Sequence, residues 1–321
     1  MNWNTRITEL LEIQYPILQG GLAYLAYAEL AAAVSNAGGF GQITAMSLPD
    51  ALALRREIRR VRALTDKPFG VNFSIGMFRS DQLQMIQAGM EEEIPAVTIS
   101  GGNPAPILEQ LSSTPIHTLV LVSSRAQAQK AEQLGASAVI VVGHEGGGHV
   151  GRDEVGTIVL VPEVVDAVRI PVIASGGIGD GRGWMAAHAL GAEGIQMGTR
   201  FIATRECRNA SIVYKNALLE SESSDTIVLK RSIGQPARAL RSPLTEKIVN
   251  SEHTTPGQEA IKNEISGKAN LRLIRDGSLE EGFGWAGQVA GLIKDVPTVS
   301  GLIERMIQEA ENIRCKWGNL S

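Results

Sequence analysis

Short apolar runs recur along the chain, each followed by a stretch whose apolar positions have helical spacing. The runs lie at 15–19 (YPILQ), 40–44, 69–74 (FGVNFS), 96–100 (AVTIS), 118–122 (TLVLV), 138–142, 171–175 (PVIAS) and 194–198 (GIQMG). They are rich in β-branched residues with little polar alternation, the pattern of strands covered on both faces. Helices are predicted between them at about 24–37, 49–64, 81–88, 104–112, 124–134, 162–168 and 181–190. Gly38 and Gly39 stop the first, and Pro49 sits in the opening turn of the second. Eight strand–helix units by residue 200 predict an α/β fold, a parallel sheet closed into a (β/α)8 TIM barrel. An open doubly wound sheet would need fewer strands and one phosphate loop near its start.

After Thr199 the pattern changes. Residues 207–219 read as helical, 221–268 as a polar stretch without strand–helix alternation, and 284–296 and 298–314 as helical again. The expected organisation is a barrel over 1–212, an inserted, mostly helical cap over 213–289, and a C-terminal helix over 290–321 that packs back on the barrel.

Composition narrows the classes of function. The chain has 321 residues, 44% hydrophobic, with 35 glycines and only 4% aromatics, which suits a large core of Val, Ile, Leu and Ala. A formal net charge of −4 without a basic stripe argues against nucleic acid as a partner. No run of ~18 apolar residues occurs, so no membrane span is expected. The first residues lack a basic segment followed by an apolar core, and Cys207 and Cys315 have neither CxxC nor metal-ligand spacing. The expectation is a cytoplasmic protein with reduced thiols and no metal. Arg55 to Arg62 reads as a solvated helix face, and Glu91 to Glu93 as a solvated turn.

The candidate chemistry centres on residues 139–156, VIVVGHEGGGHVGRDEVG. A buried strand runs into a loop holding Gly143, Gly146, Gly147, Gly148 and Gly151, with His144, Glu145 and His149 among them. Such a loop lets backbone approach a flat ligand closely. His149 is the candidate reactive side chain, because imidazole titrates near neutrality and can exchange a proton with a substrate carbon or bind an anion. His144 reads as a rim residue. In a barrel of this kind the loops after strands seven and eight build phosphate sites. Ser175, Gly176 and Gly177 follow the seventh run here, and Gly198 and Thr199 end the eighth.

Residues 174–201 (ASGGIGDGRGWMAAHALGAEGIQMGTRF) and 145–151 (EGGGHVG), with the opening PILQGGLA and the late GWAGQVAGLI, resemble the nitronate monooxygenase family, formerly called 2-nitropropane dioxygenase. The chain is also similar to flavin-dependent enoyl-ACP reductases of the same barrel type, and RSIGQPARALRS resembles an NAD(P)H:quinone reductase branch. The resemblance implies one FMN per barrel. By position Gly21, Leu22 and Ala23 would touch the flavin ring through backbone atoms, and Asn72 would hydrogen-bond the ring or ribityl chain. Gly148 would pass close to the flavin, and Ser175, Gly176, Gly177, Gly198 and Thr199 would hold the phosphate. Gln196 is set aside, on the reading that Met197 faces the core. Val122 and Gly143 stand where some relatives carry a lysine and an acidic residue near the flavin, and Ser123 and Ser124 are read as partial replacements. Trp184 reads as packing, and Trp285 as packing or pocket lining.

The implied activity is an FMN-dependent oxidation of alkyl nitronates with O2. The alternatives are an NAD(P)H:quinone reductase and an enoyl-ACP reductase. The last would want a basic mouth for a phosphopantetheine-bearing carrier, which a net charge of −4 does not favour. A barrel that binds a phosphorylated ligand without catalysis is the reading from another class. Partners are small molecules, with no nucleic acid or membrane, and a homodimer is left open.

Overall fold

A computed structural model describes residues 3–75, 81–254 and 264–318. Eight parallel strands form one sheet: β1 (Ile17–Gln19), β2 (Gly41–Thr44), β3 (Phe69–Ser74), β4 (Ala96–Ser100), β5 (His117–Val122), β6 (Ala138–Val142), β8 (Val172–Ser175) and β9 (Gly194–Met197). Their spatial order is β1-β9-β8-β6-β5-β4-β3-β2. The ends meet through a bridge between Leu18 and Phe40, where Gln19 N donates to Phe40 O and Phe40 N to Ile17 O, each at 2.9 Å. The fold is therefore the expected (β/α)8 barrel.

Both faces of this sheet are buried, which explains the unbroken apolar runs. Leu18, Phe40, Ala96, Leu119, Ala138, Ile140 and Ile173 fill the lumen, and Ile7 and Leu11 of α1 (Arg6–Leu11) pack against them from below. Their chain neighbours Ile17, Ile43, Val71, Val97, Val139, Val141, Ile195 and Met197 belong to a larger cluster between the strands and the helices. The outer helices are α2 (Ala28–Asn36), α3 (Ala51–Leu64), α4 (Gln82–Glu91), α5 (Ala105–Leu111), α6 (Arg125–Gln133), α7 (Thr157–Val165) and α8 (Gly181–Ala189). Their starts follow local chemistry: Asp50 caps α3, Ser124 caps α6, and Asp180 accepts from Arg182 N and Gly183 N to cap α8.

Several boundaries differ from the sequence expectation. Helix α2 begins at Ala28, four residues late, because Leu22 to Tyr27 form a turn in which Tyr24 takes φ +61°. Helix α7 begins at Thr157 rather than Pro162, because the Glu145 carboxylate caps Thr157. Pro162 lies inside it, and the carbonyl it leaves unpaired belongs to Ile158, an exposed residue. The helix expected at 207–219 is α10 (Ile212–Glu220), after the single turn α9 (Thr199–Ile202). The stretch 284–296 carries only a 3-10 turn at Gln288–Leu292. The arginine face of α3 is docked rather than simply solvated: Arg59 pairs with Glu92, which is 7% exposed.

The polar stretch after residue 221 does contain strands. β10 (Thr226–Leu229) and β11 (Ala237–Leu240) form a hairpin, and β7 (Gly148–His149), from the loop after β6, pairs antiparallel with β11. Helices α11 (Pro243–Thr254) and α12 (Gly267–Ile274) pack against it through Leu229, Ala239, Leu244, Ile248, Ala269 and Phe283. Residues 255–263 of the expected cap lie outside the described residues. The last helix, α13 (Val299–Gly318), returns to the barrel, and Glu309 Oε2 accepts from Gly181 N at 2.8 Å. No helix among the described residues is long and apolar enough to cross a membrane.

Candidate active site

The C-terminal ends of β6, β8, β9 and β1 are consecutive neighbours, so the glycine turns that follow them form one arc. Val142 pairs with Ser175, Ser175 with Gln196, and Gln19 with Met197. Beyond the strands the contact continues: Gly143 N donates to Ser175 O at 3.0 Å and Gly20 N to Met197 O at 2.8 Å. A Cβ on Gly176 would meet Gly143 O at 3.0 Å, and one on Gly198 would meet Leu22 at 3.3 Å. The turns after β6, β8, β9 and β1 share one rim.

Gly176 takes φ +98°, a conformation other residues rarely adopt, and this turns the chain back toward the loop after β6. The backbone N–H groups of Gly176, Gly177 and Gly198 reach no acceptor among the described residues. The Thr199 hydroxyl, 5% exposed, accepts from Gly287 N at 2.9 Å and keeps its own proton to donate. Gly287 in turn packs against the glycine loop, since a Cβ on Gly147 would lie 2.6 Å from Gly287 N. Gly148 has φ +73° and open space where a side chain would be. This donor arc beside an open backbone fits the phosphate and ring edge of an FMN.

Asn72 occupies the far side of the rim. Its amide donates to Thr98 Oγ1 at 2.9 Å, and Thr98 Oγ1 donates onward to Gln42 Oε1. This buried network fixes the amide with Oδ1 toward Gly21, where a Cβ would come within 2.3 Å. Only glycine fits at position 21. Leu22 N donates to Thr44 Oγ1 at 2.8 Å, so its backbone N–H is engaged. The Leu22 side chain beside Gly198 is the surface it offers instead. Ala23 is half-buried in the same turn.

The alternation along β9 corrects one reading. Met197 belongs to the strand–helix layer, and Gln196 points into the lumen, 5% exposed, with Oε1 lacking a partner among the described residues. A buried carbonyl of this kind wants a donor, which the polar face of a flavin supplies. Val122 packs in the strand–helix layer rather than at the rim. Gly143 has no room for the acidic side chain of some relatives, because a Cβ would sit 2.1 Å from Thr157 Oγ1.

His149 is exposed at the mouth, on β7, opposite Ala237 in the register with β11. Its Nε2 lies 2.8 Å from Nζ of Lys230, and its ring 6.1 Å from that of Trp285. One edge is open, yet the cap crowds the ring at longer range. Desolvation, then the Lys230 ammonium, push the imidazole down to about 4. His149 is therefore neutral at physiological pH. His144 is half-buried, its carbonyl accepts from Arg238 Nε and Nη2, and burial lowers its pKa too. Sequence reasoning missed Gln196, Lys230 and the 286–287 segment. The signal for Gln196 was strand alternation, and that for 286–287 the GWAGQVAGLI motif; Lys230 reaches the site only through the cap.

The family description nitronate monooxygenase matches residues 4–77 and 74–309 of this chain. The chain belongs to the nitronate monooxygenase family. Among solved structures it is similar to FabK from Thermotoga maritima, at 40% identity and a TM-score of 0.93 over 99% of each chain. A probable nitronate monooxygenase of Staphylococcus saprophyticus is 32% identical over 98% of this chain and 99% of its own length. A (3aS,4S,5R,7aS)-5-hydroxy-7a-methyl-1-oxo-octahydro-1H-indene-4-carboxyl-CoA dehydrogenase of Rhodococcus jostii is 34% identical over 95% of both. The nitronate monooxygenase family assignment makes the chain an oxidoreductase.

Proposed function

We propose that this oxidoreductase is an FMN-dependent reductase of α,β-unsaturated acyl thioesters. The observation that carries the reading is a FabK-like barrel, 40% identical throughout. The motifs resemble flavin-dependent enoyl-ACP reductases, and the Rhodococcus jostii relative is named a carboxyl-CoA dehydrogenase. The net charge of −4 weighed against a carrier-borne substrate, but net charge averages over the whole surface. At the cap hairpin, Arg152 lies beside Gly234 and has no ion-pair partner among the described residues. Such a cation suits the phosphate of a pantetheine arm.

Bound FMN would supply hydride transfer, the chemistry no side chain here provides. Gly176, Gly177, Gly198 and Thr199 would hold its phosphate, Asn72 and Gln196 its polar edge, and Gly21 and Gly148 its faces. His149 would hold or move the substrate proton. Trp285 and the cap hairpin would cover the substrate and limit water.

The second reading, oxidation of alkyl nitronates, is favoured by the Staphylococcus saprophyticus relative. Anaerobic mixing separates the two. The purified yellow protein is combined with NADH or NADPH, and flavin absorbance is followed. Bleaching by the nucleotide and recolouring by crotonyl-CoA support the reductase. Bleaching by propyl-2-nitronate alone overturns it in favour of the monooxygenase. NAD(P)H bleaching reversed by a quinone but not by the thioester points to a quinone reductase.

A further inference from the structure

Lys230 has a backbone that its side chain alone does not require. It takes φ +65° and ψ +20°, the left-handed conformation, between β10 and the turn Arg231–Ile233. Such strain persists only where surrounding structure enforces it, and it clusters at functional sites. Here α11 enforces it: Glu252, 7% exposed, accepts Lys230 N at 2.9 Å with one carboxylate oxygen and Ser232 N and Oγ with the other. The resulting turn aims the half-buried Lys230 side chain across the β7–β11 pairing, onto Nε2 of His149 at 2.8 Å.

An ammonium has only donors, so the ring nitrogen it meets must accept. The ring proton then resides on Nδ1. The other charged groups around the ring are engaged elsewhere. Arg238 of β11 is tied to His144 O and Thr226, Arg231 to Glu154, and Glu252 to the backbone of the lysine turn. Among the described residues Lys230 is the charge that acts on His149.

We propose that Lys230 is a positioning residue that fixes His149 as the neutral Nδ1–H tautomer and presents Nδ1 to the substrate. This rests on His149 as the reactive side chain, but its test does not depend on turnover. The full chain with 15N-labelled histidine is titrated by NMR, and the His149 signals are identified by their loss in His149→Asn. The wild type is expected to show a protonated Nδ1 and an unprotonated Nε2 at neutral pH. Lys230→Met is expected to move the proton toward Nε2 and raise the ring's titration by about one pH unit or more, while Lys230→Arg keeps both wild-type properties. A wild-type ring protonated on Nε2 overturns the proposal, and this needs no variant to fold. So does a Lys230→Met ring with the wild-type tautomer and titration. If His149→Ala retains full turnover, the role of His149 fails, and the tautomer result is still read separately.

Discussion

The Glu145 carboxylate accepts both the backbone N–H and the hydroxyl of Thr157, at 2.9 Å each to Oε2. The acidic residue of the glycine loop is thus a helix cap. It joins the loop after β6 to the start of α7, and Thr157 Oγ1 lies 3.0 Å from Gly176 O as well. Glu145→Ala strands the partly buried Thr157 N–H, while the hydroxyl keeps Gly176 O as acceptor, and costs about 1–3 kcal/mol. Urea denaturation is expected to show that loss, with weaker FMN retention on dilution; an unchanged midpoint would contradict the capping role.

Gly143→Ala tests the same junction by steric force. The new methyl would sit 2.1 Å from Thr157 Oγ1, 2.5 Å from its N and 2.7 Å from its Cα. Because backbone atoms are involved, Thr157→Ala does not rescue it. A destabilisation of about 1–3 kcal/mol or more is expected, read as a lower melting temperature and a reduced flavin content.

His149→Ala separates chemistry from stability. The residue is exposed, so its loss is expected to change the unfolding free energy by less than about 0.5 kcal/mol. Turnover on the true substrate is expected to fall by ~10² to 10⁴ if it handles the proton. Stopped-flow reduction by NAD(P)H, followed by the thioester step, shows which half-reaction is lost. Equal rates in both halves would remove the residue from the mechanism.

The depressed pKa of His149 has a sign for stability. Folded, the ring titrates at about 4, whereas its ordinary value is 6.5. As pH falls through that window the unfolded chain binds the proton first, so stability falls with it and levels off below about 4. Above the ordinary value neither state is protonated, and the group adds no slope. Denaturation midpoints between pH 4 and 7 are expected to fall more steeply for wild type than for His149→Asn. Parallel curves would refute the depressed value.

The eight runs and their glycine stops placed the barrel correctly because a strand buried on both faces cannot alternate, and few other segments look like that. The same double burial misled the reading of Gln196. Met197 does face a core, but a barrel has two, and the lumen is the other. Helix α7 was placed late because its cap, Glu145, is twelve residues away in sequence. The β10–β11 hairpin was invisible for a related reason. Its third strand is two residues long and belongs to the barrel, so no local periodicity marks it. Lys230 follows from that pairing, and only the fold brings it to His149.

The pairing of Gly148 and His149 with Arg238 and Ala237 makes the placement of this imidazole a property of two sequence-distant segments. A cap exchanged with that of a relative would bring its own register. A shift of one residue turns alternate side chains to opposite faces, and the imidazole would then point away from the barrel mouth. The two-residue seam therefore sets where the imidazole points.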